Sequence, residues 1–338
     1  MPYDVKDTLL ERKVLVLAKE ESTYGTDPVP SQATDLMLAL DLAMSKPRAW
    51  LDREPAVGPY LGRVQGLVGE RHGEVSFGVE IIGALAGTKP IIHPLLLACG
   101  MKKIQGDSTL SYIYQPGSKW WPSTGEGPRG CTIYVYTIES EGDEAILEKF
   151  TGCIGNLVIN STQSQILRFN FTFSGLYNAA TKVSSGFTSP TIPSQLPLKA
   201  QDITLQLGGT QVDVPVEAFE INMQNEINSS SDLSGTYGIV HYYLTSRNPI
   251  GSLNPELSNS SSVLAPTTVE SDIDTPTTES FRANYIRGSR GLQITAPVLV
   301  KKDAAWAARN GVRIYNIPFQ LTQQNGDDEI KLEFAPAV

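Results

Sequence analysis

Positive charge is scarce in this chain, long apolar runs are missing, and cysteine and histidine number three each. Each shortage narrows the reading. Lys and Arg total 27 against 36 Asp and Glu, for a net charge of −9. The basic residues come in pairs (Lys102–Lys103, Arg287 with Arg290, Lys301–Lys302) and form no stripe. Proteins that grip DNA cluster Lys and Arg against phosphates, so specific nucleic-acid binding is not expected here. The opening MPYDVKDTLLERKVLVLAKEE has only a few consecutive apolar residues, flanked by charge. It reads as neither a signal peptide nor a membrane span, which needs about 20 apolar residues.

Cys99, Cys131 and Cys153 are an odd count without a CxxC. They read as buried, reduced thiols, with Cys131 and Cys153 as candidate strand neighbours. His72, His93 and His241 lack the HxH or HExxH spacing of a zinc site. His93, inside an apolar run, reads as a hydrogen-bonded core residue. No GxSxG turn presents a nucleophile. Gly125–Gly130 spells GxGxxG, but Pro122 and Ser123 precede it and a strand follows, so it reads as a glycine-rich loop and not a dinucleotide site. Asp272 with Asp274, and Asp327 with Asp328 and Glu329, lack the spacing of a calcium loop. No catalytic residue, cofactor site or metal site is expected.

What the chain does have is alternation. At 338 residues, 41% hydrophobic and 19% charged, it has room for one large or two ordinary domains. Period-2 strands fall at Val75–Ile81, Cys131–Ile138, Gly155–Ile159 and Ile166–Ser174. A second set falls at Phe219–Ile227, Gly238–Leu244, Leu292–Val298, Val312–Leu321 and Ile330–Phe334. Pro94 and Gly100 bracket a short helix. Glu141–Phe150 and Lys302–Arg309 are also predicted as short helices. Residues 45–74 read as an extended loop or arm. Hairpins are predicted between Thr109–Tyr114 and Cys131–Ile138, around Asn160–Gln165, at Gly208-Gly209, and through Asn325-Gly326. The boundaries are 1–177 for a first β unit, 178–200 for a Ser/Thr/Pro-rich linker, and 201–338 for a second unit with a mobile loop at 245–280.

Ala18-Lys19-Glu20-Glu21-Ser22-Thr23-Tyr24-Gly25-Thr26-Asp27-Pro28 resembles the start of tail tube (major tail) proteins of long-tailed bacteriophages. The strand–helix order through Gly100 and the stretch Arg247-Asn248-Pro249-Ile250-Gly251-Ser252 support the resemblance. It implies a mainly β chain of two tandem tail-tube-like β-sandwich or half-barrel units, with short helices and long loops, adding strands to a ring-shaped β-barrel. Rings of three or six chains would stack head-to-tail into a conduit for DNA ejection, with DNA passing unbound through the lumen. Tape-measure, tail terminator and distal tail proteins are the further partners implied. The place implied is the virion tail, assembled in the host cytoplasm and away from membranes. Candidate contacts between copies are Trp120, Trp121, Tyr24 and Arg287. An inward face richer in Asp and Glu than in Lys and Arg is expected. The rival readings are a carbohydrate- or surface-binding β-sandwich, with Trp120 and Trp121 as a stacking platform, and another structural β-protein of the virion.

Overall fold

Alternation of apolar and polar side chains sets almost every segment of the chain. The computed structural model describes residues 8–55, 61–85, 87–106, 111–120, 127–139, 144–184, 195–261 and 263–335. Its first half contains β1 (Leu9–Glu20), β2 (Leu36–Met37), β3 (Ala39–Ser45), β4 (Arg48–Arg53), β5 (Val64–Glu80), α1 (His93–Ala98), β6 (Met101–Gln105), β7 (Tyr112–Pro116), β8 (Cys131–Glu139), β9 (Glu144–Thr162), β10 (Arg168–Tyr177) and β11 (Thr181–Ser184). The second contains β12 (Ile203–Leu207), β13 (Thr210–Gln211), β14 (Val216–Asn222), β15 (Asn225–Ser231), β16 (Ile239–Arg247), β17 (Ile250–Pro255), α2 (Pro266–Asp274), β18 (Glu279–Arg287), β19 (Arg290–Lys301), β20 (Ala305–Arg309), β21 (Val312–Thr322) and β22 (Lys331–Phe334). The molecule is mainly β, and among the described residues no barrel closes within one chain.

One pairing order occurs twice. β3 pairs with β5, β5 with β10, and β10 with β9. β14 pairs with β17, β17 with β21, and β21 with β19. Within each run the spatial order is the same: first, second, fourth, third in chain order. β1 joins β2 and β8, and β8 joins β9; β12 joins β13 and β18, and β18 joins β19. Even an irregularity recurs. Pairing slips between Cys131↔Cys153 and Ile133↔Phe150, and again between Glu279↔Leu299 and Phe281↔Ala296. A bulge bends and twists its strand, so both halves turn at the same point.

β9 also pairs with β14, Val158 opposite Asn222 through Thr162 opposite Ala218. That contact joins the two runs edge to edge. A single row of opposed residues then crosses β3, β5, β10, β9, β14, β17, β21 and β19: Leu40, Gly78, Asn170, Val158, Asn222, Ile250, Gln320, Val300. The adjacent row (Val79, Phe169, Ile159, Ile221, Phe319) points the other way and is buried in the core. A strand shows successive side chains to opposite faces, so one face packs the apolar core and the other is mixed, with Leu40, Val158, Ile250 and Val300 set among Asn170, Asn222 and Gln320. α1 covers the apolar side with Leu95, Leu96 and Leu97, all fully buried. Pro94 lies in its first turn, and Gly100 at φ +82° ends it, as the sequence predicts.

The hairpin of β9 and β10 around Asn160–Gln165 and that of β12 and β13 at Gly208-Gly209 form as predicted. Other expectations give way to tertiary pairing. Glu144–Phe150 is strand, because Ala145 and Leu147 alternate inward between β8 and β11. Lys302–Arg309, Ala-rich and helix-prone, ends in β20, held by β21; propensity is a weak prior against a sheet partner. β7 does not pair with β8; it lies between β6 and β22. β21 and β22 do not form a hairpin at Asn325-Gly326, since both lie along β19 at different heights. Residues 45–74 hold a paired ribbon of β4 with the start of β5. Residues 245–280 include β17 and α2.

Candidate assembly surfaces

The Glu20–Pro28 segment is a packing node. Glu20 reaches His93, carboxylate oxygen to Nε2, at 3.4 Å, and Lys89 at 3.7 Å. Hydrogen bonding from His93, together with Lys89 and Arg129, lowers its pKa to about 2. Glu21 is fully buried and accepts from the Gly152 N–H (2.7 Å), the Thr132 hydroxyl (2.6 Å) and the Gly25 N–H (2.7 Å). Burial nevertheless raises its pKa. The Tyr24 hydroxyl donates to the Gly152 carbonyl at 2.9 Å and accepts the Tyr242 N–H at 2.7 Å. Gly25 sits at φ +69°, where a Cβ would be strained. Asp27 is pulled up by burial, but hydrogen bonds from Tyr134 and Lys149 hold it below its ordinary value. Tyr24, a candidate contact between copies, thus spends its hydroxyl inside its own chain. It fastens the β15–β16 hairpin to β9.

Trp120 is half-buried against Ile154, Ile239 and Tyr242, beneath the same hairpin. Trp121 lies outside the described residues. Arg287, at the end of β18, donates to the Pro197 carbonyl at 2.6 Å. These candidates do not gather into one site. His93 is a core residue, its Nδ1 2.7 Å from the Tyr114 hydroxyl. Cys131 and Cys153 face each other across β8 and β9 as unbridged thiols. Asp272 accepts from Lys301 at 2.6 Å and Asp327 from Arg247 at 2.6 Å. Among the described residues no group of three or more His, Cys, Asp or Glu could hold a metal.

Three surfaces remain. The mixed face of the sheet carries Ser76, Asn170, Thr172, Asn156, Asn222 and Gln320, with Glu74, Glu80 and Glu220 as acids and Arg168 as the matching base. The second surface is the pair of open ends of the run: among the described residues β3 pairs only with β5, and β20 only with β21. The third is the β4–β5 ribbon, where Trp50 (58% exposed) opposes Val68 and Leu51 opposes Leu67. The sequence reading missed ribbon and edges. Its available signal was two apolar pairs, Trp50-Leu51 and Leu67-Val68, at matched distances from the charged loop between them.

A broad antiparallel sheet with one core-packed face, one mixed face and open edges defines a structural β-protein. A family model described as phage tail tube protein matches residues 11–321. The chain belongs to that family, and is a viral structural protein of the phage tail. No curated protein matches it. Among the described residues no helix is long and apolar enough to cross a membrane.

Proposed function

We propose that this chain is the ring-forming subunit of a tail tube. Three copies join edge to edge in a closed sheet, and the rings stack head-to-tail into a conduit for DNA leaving the virion. The observation that carries this is the uninterrupted eight-strand run with the same topology twice; we read residues 1–177 and 201–338 as its two tube-like units. Unpaired sheet edges favour pairing with other chains, and a head-to-tail contact that does not close grows into a filament.

The dimensions agree. Three copies of the run (β3, β5, β10, β9, β14, β17, β21, β19) supply 24 strands. At about 4.8 Å per strand and a tilt of about 35–45°, the backbone circle is about 45–52 Å wide, and side chains reduce its bore to about 35–42 Å. A duplex about 20 Å wide then clears each wall by roughly one Debye length, about 8 Å at physiological salt. Six copies would double the circle. With the mixed face inward, Glu74, Glu80 and Glu220 against Arg168 make a wall that repels phosphate weakly and does not grip it. The half-buried Trp120 gives little support to a sugar-stacking platform.

Electron microscopy and mass measurement of the concentrated, purified protein test this reading. Rings or tubes with three chains per ring are expected. Six chains per ring, or a protein that stays monomeric at every concentration, overturns it.

A further inference from the structure

The second half of the chain carries an open cleft of about 520 Å³ over the side of β12, β18, β19 and β22 that faces away from the core. We propose that this cleft binds a short acidic oligosaccharide, a sugar chain bearing carboxylates, through side-chain amides and the Arg282 guanidinium. The site belongs to one chain and does not depend on the ring reading above.

Alternation places the lining. Leu205, Ala283, Ile294 and Leu332 oppose one another across these four strands and are buried. One residue along, Gln206, Arg282, Thr295 and Lys331 form the next row, which a strand's pleat turns to the opposite face. Three strand gaps of about 4.8 Å make this row about 14 Å long, so an extended chain can lie along it. The equivalent face of the first half is built differently. On β1, β8 and β9, Leu17, Tyr134 and Leu147 form an apolar cluster covered by Leu36, Tyr136 and Val183. The polar lining is therefore particular to the second half and is no requirement of the repeated topology.

Unused hydrogen-bonding capacity carries the proposal. Among the described residues, the half-buried side chains of Gln115, Gln206, Gln293 and Thr295 line the cleft and make no hydrogen bond within the chain. Elsewhere the amides are engaged: Asn156 with Asn222, Asn225 with the Cys99 and Gly155 carbonyls, Asn254 with the N–H groups of Glu217 and Ala218, and Gln320 with Asn248. An amide sets a donor beside an acceptor, and neighbouring sugar hydroxyls offer the same pair in return. The charges in the cleft sort in the same way. Asp328 accepts the N–H groups of Gln324 and Asn325 at 2.8 and 3.0 Å. Lys331 lies 3.2 Å from Glu333. Arg282 is exposed and, among the described residues, has no ion pair. A guanidinium fork left open in this way matches a carboxylate through parallel N–H bonds. A peptide fits less well, because Phe281 and Ala296 in the lining are buried and leave no apolar pocket for its side chains.

Isothermal titration calorimetry of the purified, dissociated chain tests the site, with tetragalacturonate as ligand and about 0.15 M salt to screen the net charge. Binding is expected, and maltotetraose, a neutral chain of the same length, should bind more weakly. Arg282→Gln should lower the affinity for tetragalacturonate at least about tenfold, as for loss of a charged hydrogen-bonded pair, and bring it level with maltotetraose. Gln206→Ala with Gln293→Ala should weaken both sugars. These side chains have no partner within the chain, so melting should be unchanged in each variant. Arg48→Gln removes an exposed charge elsewhere and should bind as wild type. No binding at about 1 mM tetragalacturonate, or wild-type affinity in Arg282→Gln, overturns the site. Equal losses in Arg48→Gln and Arg282→Gln would show attraction to charge at large and overturn it too. Tighter binding of tetraglutamate would assign the cleft to an acidic peptide and overturn the sugar. None of these results bears on ring formation, which microscopy decides separately.

Discussion

Tyr24→Phe isolates what one hydroxyl does at the packing node. Phenylalanine keeps the ring, which lies against Ile154 and Tyr242 and edge-on to His241 at 6.1 Å. It removes the donor to the Gly152 carbonyl and the acceptor of the Tyr242 N–H. Both partners are part-buried, so each loses a hydrogen bond with little water to replace it. At about 1–1.5 kcal/mol for each, the loss is about 2–3 kcal/mol. Unfolding entropy near 2.1 cal/mol/K per residue, over 338 residues, makes each kcal/mol worth about 1.4 °C, so the dissociated chain should melt about 3–4 °C lower. If the first half unfolds by itself, the drop is about twice that. Hydrogen exchange should localise the effect, with the Tyr242 amide and its neighbours on β16 exchanging faster while the core of β10 is unchanged. A melting temperature within about 0.5 °C of wild type, or an unaltered Tyr242 amide, would refute the account of the motif as a clasp.

Acid should expose Glu20. Its folded pKa of about 2 lies below the ordinary 4.5, so its contribution is fully present above pH 4.5 and is lost as pH falls towards 2. The side chain is 36% exposed, so screening reduces that contribution to about 1–2 kcal/mol. Glu20→Gln should therefore be less stable than wild type at pH 6 and nearly equal at pH 2 in urea titrations; a gap that stays constant with pH contradicts this. Lys301, 4% exposed, lies between Asp272 at 2.6 Å and Glu279 at 3.1 Å. Lys301→Met strands both carboxylates and should cost about 3–5 kcal/mol by urea midpoint, and a loss below about 1 kcal/mol would show that water already serves them. Gly251 in β17 faces Phe319, where a Cβ would sit 2.3 Å from the ring. Gly251→Ala should cost about 1–3 kcal/mol through overpacking, and an unchanged melting curve counts against close sheet–core contact there.

The sequence by itself determined the kind of protein. Alternation in Ile166–Phe173 and Val312–Leu321 fixed β10 and β21, because a half-buried strand leaves a period-2 trace in its own residues. Pro94 and Gly100 likewise fixed α1, since the signals act within one turn. The Glu20–Pro28 segment carried the family resemblance, and its side chains prove to be the clasp joining β1, β8, β9, α1 and the β15–β16 hairpin. What tertiary structure alone decided was which strand lies beside which. β9 joins β14 across a separation of about 60 residues, and β20 is strand only because β21 holds it. Backbone pairing leaves no mark on the side chains that make it. The open edges and the exposed ribbon follow from that pairing, and so does any account of how copies meet.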